Sequence, residues 1–517
     1  MDQGPRMDDQ NLYSLLAERF LADPDRQFAV LEDGRQFSYS DVDRVTGRFA
    51  TALMAMGVEP GDRVAAQVDK SIEAFLLYLA TLRAGGVFLP LNNAYTPAEI
   101  SYFLNDAEPR VFVASPAKAE ALAPVAAEAG ARLETMGVWT PGIEPDQAGT
   151  FFDAVPENAS FQTIRRESDD LATILYTSGT TGRSKGAMTT HGNLSSNAFT
   201  LCSLWGFTAD DVLLHALPIF HTHGLFTSSN TILAAGASMI WQHRFNADAV
   251  IEALPNATTM MGVPTFYTRL LDHPGFTSEL VSHMRLFVSG SAPMLVETHE
   301  KFRHITGQTV LERYGMTETQ MNTSNPYDGI RKPGTVGPPL PDVDVRIVNP
   351  ETGSAVATGE VGMIEVRGPN VFKGYWRMPE KTAEELRENG FFITGDLGKI
   401  DEAGYVSIVG RSKDLIISGG YNIYPKEIEE AIDDLQGVEE SAVIGVAHPD
   451  FGEGVVAVVV SSDGADLSEE GILSQLGDMA RFKQPKRVFF ADELPRNTMG
   501  KVQKNVLRDQ HSDVFSS

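Results

Sequence analysis

A strand that empties into glycine and small hydroxyl residues constrains this chain more than any other feature. The apolar run Leu171–Tyr176 leads straight into Thr177, Ser178, Gly179, Thr180, Thr181, Gly182, Arg183, Ser184 and Lys185. A strand that ends this way exposes successive backbone N–H groups, which can wrap a polyphosphate. Lys185 adds a positive charge within reach of the phosphate oxygens. The spacing is not that of the NTPase P-loop, which keeps four residues between its first glycine and a Gly-Lys-Ser/Thr ending. Here Gly179 and Gly182 are three apart, and Arg183 and Ser184 separate Gly182 from Lys185. A flexible polar linker would not place a lysine and flanking glycines directly after a buried strand.

At 517 residues the chain exceeds what one core supports. From about residue 10 to 345, short β-branched runs alternate with helical patterns, the signature of layered α/β structure. Strands are expected at Arg63–Gln67, Val111–Ala114, Val212–Leu217, Thr258–Val263 and Met284–Ser289. Helices are expected at Asp41–Met56 and Ser71–Ala84, whose apolar residues recur at three and four. Residues 345–410 turn to short, glycine-bounded strands that suit a small antiparallel barrel or sheet. Beyond Arg411–Asp414 comes an α+β pattern of its own, with Pro425 at a helix first turn followed by Glu427, Glu429 and Glu430. The expected division is a large domain over 1–412, made of layered α/β subdomains with the barrel-like piece, and a small α+β domain over 413–517.

A net charge of −27 repels nucleic acid and anionic membranes. An anionic substrate must therefore find local cations, which makes single Arg and Lys residues near the motifs informative. The single cysteine, Cys202, fits a reducing cytosol and reads as a small buried hydrophobe. No apolar run approaches the roughly 20 residues that span a bilayer, so a cytoplasmic protein is expected.

Four other segments share the polar, glycine-marked character of the first. Arg313–Glu318 puts a carboxylate on a short turn, where it could hold Mg²⁺. Thr394, Gly395 and Asp396 offer a carboxylate to ribose hydroxyls, and Arg411 could pair with phosphate or ribose. Pro495–Lys501 sets a lysine on a glycine turn. Together the strings YTSGTTGRSKG, YGMTE, TGD, GRSKD and PRNTMGK resemble the adenylate-forming superfamily, across essentially the whole chain. The resemblance implies a reaction in two steps. A carboxylate attacks the α-phosphate of Mg-ATP and releases pyrophosphate; the thiol of coenzyme A then displaces AMP.

The same resemblance assigns roles. Thr177–Lys185 would orient the β- and γ-phosphates, with Thr177 and Glu318 holding Mg²⁺. Asp396 and Arg411 would bind the ribose. Arg313, Tyr314, Gly315 and Thr317, with Gly290, Ser291 and Ala292, would line the AMP site. Lys501 and Lys185 would be catalytic cations, Glu318 a catalytic carboxylate and His223 a further catalytic residue. Lys413 would be the hinge about which the small domain turns, bringing Gly419, Gly420 and Tyr421 to coenzyme A. A lysine such as Lys501 is also a candidate for a lysine acetyltransferase, which would remove its charge. Monomer and homodimer remain open.

The acyl pocket is expected from Phe220–Leu225, Gly262–Thr268 and Arg285–Ala292, a region rich in hydroxyls with histidines and an arginine rather than an apolar tunnel. That suits a short dicarboxylate, since Arg pairs bidentately with a carboxylate and stays charged when buried. The longer strings ALPIFHTHGL, GVPTFYTRLL and HMRLFVSGSAPM are similar to those of the malonyl-CoA synthetases, a family within the superfamily. The resemblance implies malonate, with methylmalonate also accepted. Arg285 would anchor the distal carboxylate, with Ser289, Thr265, Met316 and His223 around the acyl group. The alternatives are a ligase for a medium-chain or aryl acid, and a non-catalytic ATP-binding relative.

Overall fold

A computed structural model describes residues 9–138, 148–177, 184–418, 421–462, 464–477, 479–497 and 500–515. Two mostly parallel sheets carry the first three-fifths of the chain. One has eight strands among the described residues, from Gln320–Ser324 at one edge to Gln36–Ser38 at the other, with Val310–Met316, Leu286–Ser289, Thr259–Gly262, Val212–His215, Ser238–Trp241 and Gln27–Leu31 between. Only its two edge pairs are antiparallel. The second, of seven strands, includes Arg63–Gln67, Val87–Pro90, Val111–Ala114 and Leu171–Thr177 in parallel register. Strand Lys185–Thr190 returns antiparallel to Leu171–Thr177, pairing Thr177 with Lys185.

Helix Ile72–Arg83 lies between the two sheets. Every one of its residues is buried, although its sequence alternates at helical spacing. The reason is that both sheets pack on it. Phe75 meets Phe28 and Trp241 of the eight-stranded sheet, and Tyr78 meets Phe88 of the other. Its buried charges are paired, Glu73 with Arg35 at 3.0 Å and Arg83 with Asp43 at 3.1 Å. Ser71 caps its first turn and Ala84 its last. Helix Tyr39–Ala55 starts two residues before its expected position because Ser38 and Asp41 form a capping box.

Of the barrel and the sheet that residues 345–410 allowed, the chain forms a sheet. Asp344–Val348, Gly362–Arg367, Phe392–Ile400 and Val406–Arg411 make four antiparallel strands. After the short turn Ser412–Asp414, a separate sheet is built around the long hairpin Val438–His448 and Gly452–Ser461. Helix Pro425–Asp433 covers one face, its Ile428 and Ile432 joining Val443, Val455 and Val459 in a core of their own. The helix expected near Ser468–Ala480 is shorter, Glu469–Gln475. No helix among the described residues is long and apolar enough to cross a membrane.

Candidate active site

The parallel strands of both sheets deliver their C-terminal ends to one region, the place where open α/β sheets bind ligands. Thr177 ends its strand there, as do Gly262, Ser289 and Met316. Residues 178–183, and with them Ser178, Gly179, Thr180, Thr181 and Gly182, lie outside the described residues, as do Gly419 and Gly420.

Lys185 opens the strand after that loop. Its Nζ lies 3.1 and 3.2 Å from the two carboxylate oxygens of Glu385, and 4.1 Å from the centre of the Tyr375 ring. The Tyr375 hydroxyl lies 2.6 Å from Glu385 Oε2 and 3.0 Å from Glu318 Oε1. Glu318 is buried, which raises its pKa despite the Tyr375 hydroxyl and the Lys185 charge. Tyr375 and Glu385, to which sequence reasoning assigned no role, lie some 190–200 residues beyond the loop, in the segment Gly374–Glu385.

Asp396 and Arg411 face each other as register partners on adjacent strands. Arg411 Nε is 2.6 Å from Asp396 Oδ1, and the Tyr314 hydroxyl donates to Oδ2 at 2.5 Å. Burial and the Asp396 charge hold Tyr314 protonated, well above the usual phenol range. Gly315 tolerates no side chain, since a Cβ would stand 2.0 Å from the Gln320 carbonyl oxygen. Thr317 closes the same turn, accepting on its carbonyl from Gln320 Nε2 at 3.3 Å.

The turn that carries Lys501 docks onto the large domain. A Cβ on Gly500 would meet Thr265 Oγ1 at 3.3 Å. Asn497 Oδ1 accepts from the Lys501 N–H at 3.0 Å, and Arg496 donates to the Gly500 carbonyl at 2.6 Å. Lys501 as a residue is exposed, but its ammonium end reaches into the cleft, where burial and then the Arg411 charge lower its pKa to about 8. Lys413 sits in the turn Ser412–Asp414, and its neighbour Asp414 pairs with Arg508 at 2.6 Å. Tyr421 is on another face of the small domain, exposed and stacked on Phe482 with ring centres 4.5 Å apart.

The acyl side departs from expectation at its arginine. Arg285 stands before strand Leu286–Ser289, at the opposite edge of the sheet from the site, about 13 Å from Ser289 at strand rise. Its guanidinium is already occupied. Nε and Nη2 clamp Asp211 at 2.6 and 2.7 Å, Nη1 donates to the Trp205 carbonyl at 2.9 Å, and the rings of Phe207 and Tyr327 cover its faces. The charge is spent on a structural ion pair, so Arg285 does not anchor a substrate. Arg285→Ala strands Asp211 in a buried site. The expected result is a loss of about 2–4 kcal/mol on thermal or urea unfolding, with the KM for the acid unchanged in the folded fraction.

A second arginine, Arg313, is buried beside Gly290. It is 3 % exposed, and its Nε and Nη2 have no hydrogen-bond partner among the described residues. Gly290 makes the room: a Cβ there would lie 2.4 Å from the Arg313 guanidinium carbon. The adjacent Glu312 points elsewhere, accepting from the Met294 N–H at 3.1 Å and pairing with His299 at 3.0 Å. Desolvation lowers the Arg313 pKa to about 9, and burial, then the Arg313 charge, lower that of His221 to about 4. Lys501 also contributes to the shift of His221, which is thus within range of both charges. Sequence reasoning singled out His223 instead. That residue is buried one layer back, with Nδ1 3.1 Å from Ser291 Oγ. Ser291 holds it from a left-handed backbone, φ 72°. Ser289 is fully buried with its hydroxyl unpartnered, Thr265 opens helix Pro264–Leu271, and Met316 packs partly buried at its strand end. Ala292 follows Ser291 on the same loop, half-buried.

The model of the AMP-binding enzyme family matches residues 16–376, and that of the AMP-binding enzyme C-terminal domain matches 427–501. Feruloyl-CoA synthase of Amycolatopsis sp. is 37 % identical over 486 residues, covering 93 % of this chain and 95 % of its own. Malonate–CoA ligase of Arabidopsis thaliana is 33 % identical over 529 residues, covering 93 % and 86 %. The solved structure of ATP-bound MatB from Rhodopseudomonas palustris superposes with a TM-score of 0.95 at 57 % identity, covering 98 % of this chain and all of that one. These matches run through both parts of the fold and through every segment that converges on the cleft, and the chain belongs to the AMP-binding enzyme family.

Proposed function

We propose that this chain joins malonate to coenzyme A through malonyl-adenylate, consuming ATP and releasing AMP and pyrophosphate. The observation that carries the choice of acid is Arg313. A guanidinium buried without a counter-ion costs several kcal/mol unless a ligand supplies the charge. A fatty or aryl acid presents hydrocarbon there; a short dicarboxylate presents a carboxylate that can take Nε and Nη2 together. Methylmalonate fits the same anchor, with Met316 limiting the α-substituent. The likeness to malonate–CoA ligases supports this reading, and the 37 % identical feruloyl-CoA synthase makes overall identity a poor guide to the acid. ATP–pyrophosphate exchange over malonate, methylmalonate, succinate, acetate and octanoate tests it. Preference for a monocarboxylate would overturn the substrate assignment.

The first step is a displacement at phosphorus. A carboxylate oxygen bonds to the α-phosphorus, the bond to the bridging oxygen breaks, and pyrophosphate leaves. Positioning and charge neutralisation carry such a step. Lys185 and the loop before it hold the leaving phosphates, Asp396 and Arg411 hold the ribose, and Lys501 faces the attacking carboxylate. Glu318, a buried carboxylate whose pKa burial raises, and Thr177 are the oxygen donors that would hold Mg²⁺, which when bound would neutralise charge on the departing phosphates.

The small domain is read as 413–517, turning about Lys413 once pyrophosphate has left. That motion withdraws Lys501 and presents Gly419, Gly420 and Tyr421 to coenzyme A, whose thiol then displaces AMP. The contact between Gly500 and Thr265 supports an orientation poised for the first step. Acetylation of Lys501 by a lysine acetyltransferase would remove its charge and block that step alone.

The lowered pKa of Lys501 sets a pH dependence. The ammonium is the working form, and a depressed value means the charge is lost as pH rises through about 8. kcat/KM for adenylation is expected to fall above that pH, while Lys501→Arg keeps its remaining activity flat to higher pH because a guanidinium stays charged. Exchange assays from pH 6 to 10 check this.

A further inference from the structure

Lys185 is not free to receive a polyphosphate in this structure, because Glu385 holds it. The two oxygens of Glu385 are shared among three donors: Lys185 Nζ at 3.1 and 3.2 Å, the Tyr375 hydroxyl at 2.6 Å and Lys381 Nζ at 3.0 Å. Lys381 lies one helical turn earlier on Pro379–Glu385 and is more exposed than Lys185, 40 % against 19 % by side chain. The Tyr375 hydroxyl, also 3.0 Å from Glu318, ties this cluster to the carboxylate read above as a Mg²⁺ ligand. With one proton, Tyr375 can donate to only one carboxylate at a time. Any change at Glu318 is thus felt at Glu385.

We infer that Glu385 is a positioning residue that exchanges with the substrate phosphates for Lys185. In the arrangement described it holds the lysine over the Tyr375 ring. When phosphate enters, Lys185 transfers to it and Glu385 keeps Lys381 as its partner, so no carboxylate is left unpaired. After pyrophosphate forms, Glu385 competes for Lys185 again and speeds release of the product. The inference rests on the reading of Lys185 as a phosphate ligand. No bond is made or broken; a charged pair changes partners.

The test is steady-state exchange kinetics with ATP varied and inorganic pyrophosphate as product inhibitor. Glu385→Gln keeps an acceptor for the Tyr375 hydroxyl but removes the competing charge. The expected result is a fall of about fivefold or more in both KM for ATP and Ki for pyrophosphate, the scale of one partly screened ion pair. Lys381→Ala, on the surface, removes the standby partner and is expected to raise both severalfold. Lys185→Ala is expected to raise both as well. If Glu385→Gln leaves both constants unchanged or raises them while Lys185→Ala raises them, the exchange is overturned. If Lys185→Ala leaves both unchanged, the phosphate role of Lys185 fails and the inference with it. A purely structural role for Glu385 would show as a lower Tm without tighter pyrophosphate inhibition, which also overturns it.

Discussion

Lys501→Ala is expected to lower malonate-dependent ATP–pyrophosphate exchange by on the order of 10³-fold while sparing thioester formation from supplied malonyl-AMP. The magnitude is that of removing one preorganised charge-stabilising donor. The selectivity comes from geometry. Lys501 reaches the site only because its turn is seated against Thr265, and the ammonium shares the cleft with Arg411 and Asp396. On the proposed rotation of the small domain, that lysine has no part in attack by the thiol. The acetylated protein should reproduce the loss, since acetylation neutralises the same nitrogen. Equal loss in both half-reactions would mean that Lys501 supports the fold or that no rotation separates the steps.

Arg313→Gln is expected to cut kcat/KM for malonate by about 10³–10⁴-fold while changing that for acetate or propionate by far less. A site built to pair with a charged group rejects ligands that do not use it, and conversely loses its own substrate when the pairing group goes. Glutamine is chosen because Gly290 leaves room for a long side chain and a smaller residue would open a cavity there. Arg313→Lys keeps the charge without the planar fork and should recover part of the activity. The measurement that decides is the ratio of malonate to acetate, not the absolute rate. If the KM for ATP rises as steeply as that for malonate, Arg313 belongs to the nucleotide site, as its place in the Arg313–Glu318 segment suggested from sequence. The acid would then be held by another group.

The motifs were legible because their chemistry is local. A phosphate loop, a ribose carboxylate and a lysine on a glycine turn each need only a few adjacent residues, and 171–186, 394–396 and 495–501 wrote them out in order. Strands and helices of the two parallel sheets were legible for the same reason, to within two or three residues. Tyr375 and Glu385 were not, because nothing in their spacing marks them; they become functional candidates only by lying against Lys185 and Glu318.

The arginines show where local reasoning stops. Both Arg285 and Arg313 sit in strand-forming sequence beside apolar residues, and composition cannot tell them apart. In a parallel sheet, however, the end of the strand a residue occupies decides whether it meets the site. Arg285 precedes its strand and is met by Asp211; Arg313 lies late in the neighbouring strand, past the level of Ser289, buried beside Gly290 with Nε and Nη2 unpartnered among the described residues. The two histidines of 221–223 divide in the same way, one facing the cations and one packed behind on Ser291. The sequence by itself determined the family of chemistry and the layered fold, since both follow from short-range pattern. Which arginine keeps unpartnered nitrogens was decided only by the tertiary structure, which set Asp211 against Arg285 and Asp396 against Arg411 and left Arg313 Nε and Nη2 without a hydrogen-bond partner among the described residues.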